Sequence, residues 1–320
     1  MEVRQLEYFV VIVDFGSLSK AAAQLRIAQP ALSQQMKTLE GQFGRQLLVR
    51  NSRGVKPTAA GLRLYRHARL ILRQLGQLRL EVEDQTLDLA GSVAIGLPTS
   101  TATVLAAPLL IAVRQLYPNI KLQIFESLSG YLTELLMNNR LDCAVLFRDS
   151  AVKGLLLEPL LEEDLFLVTC AGAPLAARAK CPIRDLAGMP LVLPSIAQDL
   201  RLLTELTFRR LGIKLNVVAD VDSLPTLREI ARLGVAVTIL PRSALASSEA
   251  AASLVSVLLV DPAITRPVAL CYPEGLPRSP AVDAVASTLK TTVANLISNG
   301  KWTGVRPASR LAGIRKRDIS

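Results

Sequence analysis

Histidine and tryptophan are nearly missing from this 320-residue chain: His67 and Trp302 are single examples. One histidine cannot complete a metal set, and His67 stands among arginines with no serine or cysteine nucleophile beside it. Neither a GxGxxG nor a P-loop pattern occurs, so nucleotide-dependent chemistry has no phosphate cradle, and no catalysis and no cofactor are expected. The four cysteines, Cys143, Cys170, Cys181 and Cys271, lie far apart, without a CxxC pair. They are expected to pack as small reduced hydrophobes. No uninterrupted apolar run approaches the roughly 20 residues of a membrane helix. The opening "MEVRQLEYFV" carries acids where a secretory leader would be basic. A cytoplasmic location with no membrane partner is the expectation.

What the chain does have is an uneven charge. Met1 to Leu80 holds 13 basic against 4 acidic residues, a net of +9, while Glu81 to Gly300 nets −4 and Lys301 to Ser320 nets +5. A basic N-terminal part beside a mildly acidic middle points to a polyanion as partner of the first. The length suits two or three domains.

Leu6, Phe9, Val10 and Val13 recur at helical spacing, and "DFGSLS" supplies a turn and hydroxyl caps for a second helix, "KAAAQL". Its alanines allow another helix to approach closely. A third helix opens at "IAQP", since proline is tolerated where the first-turn N–H has no intrahelical partner. Leu32, Met36 and Leu39 make its buried stripe. Gln29, Ser33 and Lys37, with Gln34 beside them, fall on another face and give amides, a hydroxyl and a lysine at the spacing that reads base edges in a major groove. "QLLVRNSRGVKPT" then reads as two short extended pieces around a turn, with Arg50, Arg53 and Lys56 placed to hold phosphates or enter a minor groove.

From Thr58 to about Leu89 no proline interrupts a broken seam of Leu62, Tyr65, Ala68, Leu72, Leu75 and Val82. About 30 residues would make a helix of about 45 Å, too long for one domain to bury, so the same helix of a second chain is its simplest partner. A dimer would place two reading helices on the two half-sites of a dyad. Beyond "LAGS", short apolar runs alternate with amphipathic helices, as in a parallel α/β sheet. Two α/β units follow, with crossovers near Glu163 and Arg266. Residues from Lys301 onward are basic, lack a sustained apolar period and are expected to be disordered, although Trp302 can pack on the neighbouring helix.

The stretch from "LEYFVVIVDFGSLSKAAAQLRIAQPALSQQMKTLE" through "GVKPTAAG" resembles the DNA-binding region of LysR-type transcriptional regulators in order and spacing. "IVDFGSL", "IAQPALSQQ" and "EEDLFLV" are also similar to the nitrogen assimilation control subgroup of that family. The resemblance implies a winged helix-turn-helix over 1–57, a linker and dimerisation helix over 58–90, and an effector-sensing region over 91–300. The last would consist of two Rossmann-like α/β subdomains of the periplasmic-binding-protein type: subdomain I about 91–163 and 267–300, subdomain II about 164–266. It implies Gln29, Pro30, Ser33, Gln34 and Lys37 at the groove, Arg50 and Arg53 in the wing, and a homodimer or homotetramer that contacts RNA polymerase. Many members carry serine where this chain has Ala28 and arginine where it has Gln34. Glutamine favours adenine where arginine favours guanine.

"IGLPTS", "LVLPS" and "TILPRS" each place a proline and a hydroxyl at the end of a strand expected to run into a helix, where free N–H groups and a positive dipole end suit an anion. Thr99, Ser100, Thr101 and Ser195, with Asp222 and Ser223, are therefore expected to line a cleft for a small anionic effector. The plain alternative is that these groups only cap helices. The nitrogen control resemblance points the same way, because that subgroup is understood to act without a co-inducer, which would leave the cleft vestigial. A solute-binding protein with an incidental DNA-binding module would share the middle region but not explain the N-terminal one.

Overall fold

The computed structural model of the chain describes residues 1–51, 54–83, 89–148, 152–246, 253–275 and 277–308, with the side chains of 77 and 79–83 set aside. It divides into two compact units, Met1–Gly91 with Asn138–Arg140, and Ser92–Met137 with Leu141–Ser320.

In the first unit, α1 (Val3–Phe15), α2 (Leu18–Leu25) and α3 (Gln29–Phe43) are joined by short turns. Gly16 ends α1 at a φ of 58°, and Ser17 caps α2 by accepting the Lys20 N–H at 3.4 Å. Pro30 sits in the first turn of α3. Leu32, Met36 and Leu39 are buried, as their spacing predicts, in one core with Leu6 and Phe9 of α1 and with Ala21 and Ala22 of α2. On the last turn of α1 the fully buried residue is Ile12, while Val13, expected in the stripe, is half-buried. The helix packs against both α3 and the later α4, so its buried face follows the 6, 9, 12 row.

A hairpin of β1 (Leu48–Asn51) and β2 (Gly54–Pro57) follows, antiparallel, with Val49 opposite Lys56 and Arg50 opposite Val55. Then α4 (Ala59–Glu83) begins under Thr58, whose Oγ1 accepts the Gly61 N–H at 3.0 Å and donates to the Gln46 carbonyl at 2.9 Å. Tyr65 and Ala68 are buried, Leu72 and Leu75 half-buried, and Leu62, Ile71 and Leu78 exposed. The seam expected on this helix is thus only partly covered by its own unit. Val82 and residues 84–88 lie outside what is described.

The second unit has two lobes. The first is built by β3 (Gly91–Pro98), α5 (Thr99–Leu116), β4 (Ile120–Ser127), α6 (Ser129–Met137) and β5 (Cys143–Leu146). The long strand β6 (Leu155–Cys170) then crosses to the second lobe. There β7 (Lys180–Pro182), β8 (Pro190–Leu193), α7 (Asp199–Arg210), β9 (Asn216–Asp220), α8 (Leu224–Arg232), β10 (Thr238–Pro241) and β11 (Leu254–Val260) follow. The chain returns through β12 (Thr265–Pro273) to α9 (Pro280–Ser298) and β13 (Val305–Pro307). The strand path runs β4-β3-β5-β12-β6-β11-β7, with β10 and β13 also on β6, and β8 pairs β9 separately.

The sheet is mixed rather than parallel. β3 with β5 and β8 with β9 are parallel, but β6 and β12 run antiparallel because one carries the chain out of the first lobe and the other brings it back. Each lobe has its own core, around Leu132, Leu136 and Leu146 in the first and around Leu167, Leu191, Phe208 and Ile239 in the second. Among the described helices α5 alone has the length and composition to cross a membrane, yet Thr101, Leu105, Leu109 and Val113 are buried within its own unit.

Two further expectations change. "TILPRS" leads into a single 3₁₀ turn, Arg242–Leu245, and not into a helix. Residues 301–308 are ordered: Trp302 is buried and β13 pairs with β6, whereas the rest of the tail expected to be disordered, 309–320, lies outside the described residues. An aromatic side chain and a three-residue strand supply the contacts that an apolar period would have announced.

Candidate nucleic-acid interface and effector cleft

The outward side of α3 carries what its spacing predicts. Gln29, Pro30, Gln34 and Lys37 are exposed and Ser33 is half-buried. The wing reaches this face: Arg50 Nη1 donates to Ser33 Oγ at 2.9 Å. Lys56 is exposed on β2, across the hairpin from Val49. Arg53, the remaining wing cation, lies outside the described residues. Amide, hydroxyl and cationic groups thus form one surface that can bond base edges from the helix and phosphates from the hairpin.

Three residues support this surface in ways that the spacing does not show. Glu40, on the inward side of α3, accepts the Leu47 and Leu48 N–H groups at 2.7 and 3.1 Å and so fixes where the hairpin starts. It is the single acid within α3, which was its signal. Gly54, at a φ of 121°, holds the start of β2 against the α1–α2 turn, where Val55 N–H meets the Gly16 carbonyl at 2.8 Å. An added Cβ at Gly54 would lie 2.5 Å from that carbonyl oxygen. On the other side, Tyr65 of α4 donates its hydroxyl to Asp14, which also pairs with Arg69 at 3.0 Å. Burial, reinforced by that hydrogen bond, pushes the Tyr65 phenol up to about 12.

The second unit has a cleft between its lobes. Thr99 and Ser100 line it together with Ser129, Phe147, Gln198 and Arg266, among a larger apolar wall that includes Leu200, Leu227 and Pro241. The cavity is about 50 Å³, room for one or two water molecules rather than for a metabolite, whose pockets typically span about 300–1,000 Å³. Arg266 is the single cation of this lining, and it is already committed to Glu163 at 2.6 Å. Ser100 Oγ accepts from the same guanidinium at 2.9 Å.

The other expected effector residues are placed elsewhere. Thr101 is fully buried in α5 and outside the lining. Ser195 and Asp222 bond to each other, through the Ser195 N–H at 2.9 Å and its hydroxyl at 2.7 Å. Ser223 caps α8 by accepting the Thr226 N–H at 3.4 Å. The cleft therefore gathers Thr99 and Ser100 but not Thr101, Ser195, Asp222 or Ser223, and for the last three a structural bond explains the residue type.

Comparison with known proteins agrees with both units. Residues 3–62 match the bacterial regulatory helix-turn-helix proteins of the lysR family, and residues 86–294 match the LysR substrate binding domain. The nitrogen assimilation regulatory protein Nac of Escherichia coli K12 is 39% identical over 94% of this chain and 99% of its own length. Nac of Klebsiella aerogenes is 40% identical over 92% of this chain and 95% of its own. Among solved structures, full-length OxyR from Pseudomonas aeruginosa superposes with a TM-score of 0.73 at 21% identity, covering 98% of this chain and 99% of that one. Full-length BenM does so at 0.57 and 26%, covering 95% and 99%. Two domain matches in the family's order, with relatives aligned along nearly the whole chain, make this protein a member of the LysR family of transcriptional regulators.

Proposed function

We propose that this regulator binds an interrupted dyad in double-stranded DNA, with Gln29, Ser33 and Gln34 reading bases and Arg50, Arg53, Lys37 and Lys56 neutralising phosphates. The observation that carries the reading is the joined face of α3 and wing, where Arg50 meets Ser33 at 2.9 Å beside exposed Gln34 and Lys37. Phosphate neutralisation makes the affinity fall steeply with salt. Two copies supply the two reading helices, and the exposed Ile71 and Leu78, seven residues apart on one face of α4, give them apolar surface to share. The protein acts in the cytoplasm, where its DNA is, and exerts its effect through RNA polymerase at the promoter.

We further propose that its targets are nitrogen assimilation genes, supported by relatives of that name at 39% and 40% identity. A small anionic effector in the cleft is the second reading; Thr99 and Ser100 in the lining favour it, whereas the paired Arg266 weighs against a charge-driven site. Selection of genomic fragments by the purified protein, at low and near-physiological salt, tests both. Enrichment of a dyad upstream of nitrogen-source genes is the expected outcome. A dyad elsewhere removes the nitrogen assignment, and salt-sensitive binding without any enriched sequence removes the operator-reading role.

A further inference from the structure

Glu163 is a carboxylate with no exposure at all, and its two oxygens are saturated by groups from distant parts of the chain. Oε2 accepts from Arg266 Nε and Nη2 at 2.9 and 2.6 Å. Oε1 accepts from Ser243 Oγ at 2.6 Å and from Trp302 Nε1 at 3.3 Å. Arg266 carries the contacts onward to Ser100 Oγ and lies over the Phe147 ring, 3.5 Å from its centroid. Ser100 and Phe147 belong to the first lobe, Ser243 to the second, Glu163 and Arg266 to the two crossing strands, and Trp302 to the C-terminal segment.

That segment also grips the crossing strand directly. β13 lies on β6 with Val305 opposite Glu163, while β12 sets Arg266 opposite Glu163. The Asp164 N–H donates to the Gly304 carbonyl at 2.8 Å, and Arg306 pairs with Glu162 and Asp164 at 2.8 Å each. Gly304 takes a φ of 72°, with Phe166 so close that an added Cβ would lie 2.9 Å from its ring. A two-lobed domain reorients by bending at its crossing strands. Here β6 is held on both sides at the point where it would bend. Turning the lobes would also pull Ser243 or Ser100 away from a buried ion pair, which is tolerated only while its remaining hydrogen-bonding positions are filled.

We propose that Lys301–Pro307 is a hinge strap: Trp302 and β13 clamp β6 at Glu163, and through Glu163 and Arg266 they fix the angle between the two lobes. With the strap in place the cleft stays at its present small volume, and lobe reorientation requires the strap to release. The device does not depend on which DNA or effector the protein binds.

The chain supplies its own reporter, because Trp302 is its single tryptophan. Acrylamide quenching of the full-length protein is compared with that of Ser100→Ala, Ser243→Ala and the double variant, which remove hydroxyls from the lobes without touching the strap. The wild type, with Trp302 only 2% exposed, quenches weakly, and the double variant is expected to quench at least about two-fold more strongly while its far-ultraviolet circular dichroism is unchanged. Trp302→Phe keeps most of the packing but loses the N–H, and is expected to speed amide exchange around Ser243 and Ser100 several-fold. Should a serine variant lose its fold, Trp302→Phe decides alone. Unchanged quenching in folded serine variants, or faster exchange in Trp302→Phe confined to 161–164 and 301–307, overturns the proposal, since Trp302 would then be a local packing residue only.

Discussion

Two glycines of α4 separate intrinsic helix preference from tertiary contact. In a helix interior, alanine is favoured over glycine by about 1 kcal/mol. Gly76 has nothing within 4 Å of where a Cβ would stand, so Gly76→Ala is expected to stabilise by about that amount. At Gly61 the same methyl group would lie 2.0 Å from the Leu47 carbonyl oxygen, where ordinary contact begins near 3.4 Å. The obstacle is backbone, leading directly into β1, so about 1.4 Å of movement must be taken up by the wing or by α4. Overpacking of this kind costs about 1–3 kcal/mol, which cancels or outweighs the helix gain of about 1 kcal/mol and leaves Gly61→Ala up to about 2 kcal/mol less stable. Because Arg50 rides on β1, the displaced hairpin should also weaken DNA binding about ten-fold. Urea unfolding at fixed protein concentration, with a parallel DNA titration, measures both. If Gly61→Ala gains stability as Gly76→Ala does and binds DNA normally, the close packing of α4 against the wing is not what positions the hairpin.

Glu40→Ala leaves the Leu47 and Leu48 N–H groups without their acceptor, and a loss of about 1–3 kcal/mol is expected in the same unfolding assay, with weaker binding to every DNA sequence. Glu163→Ala leaves Arg266, only 3% exposed, as an uncompensated charge, and the expected loss is about 3–5 kcal/mol; under 1 kcal/mol would show that the pair is not closed to water. The Tyr65 phenol is raised in the folded state from 10.0 to about 12, so its contribution is complete below pH 10 and fades as pH rises from about 10 to about 12. In Tyr65→Phe that part of the alkaline decline should vanish in a pH series of unfolding midpoints.

Local features were the legible ones. The stripe of Leu32, Met36 and Leu39 and the polar face beside it follow from helical spacing alone, as does the proline at the head of α3. The α9 cap has the same local origin: Ser279 of "SPAVD" accepts the Val282 N–H at 3.3 Å. The first half of β6, "LLLEPLLEE", was hidden because its charged and proline positions break the alternation, and the partners that make it a strand come from β12, about a hundred residues later. Glu163 was legible as a crossover position but not as a buried carboxylate, because the groups that bury it, Ser243, Arg266 and Trp302, are all at least 80 residues away. Ser195 and Asp222 show the converse: a hydroxyl and a carboxylate suggestive of a ligand site turned out to be each other's partners.

The division of labour on the DNA face is the central claim, and the measurement that meets it most directly is a salt titration of affinity for the selected operator and for a randomised duplex, with wild type, Gln34→Ala and Arg50→Ala. Gln34→Ala is expected to lose about 1–3 kcal/mol on the operator and little on the randomised duplex, whereas Arg50→Ala weakens both alike and lowers the salt slope by about one. Equal losses on both duplexes from both substitutions would contradict the account, leaving α3 as one more cationic surface rather than the element that reads sequence.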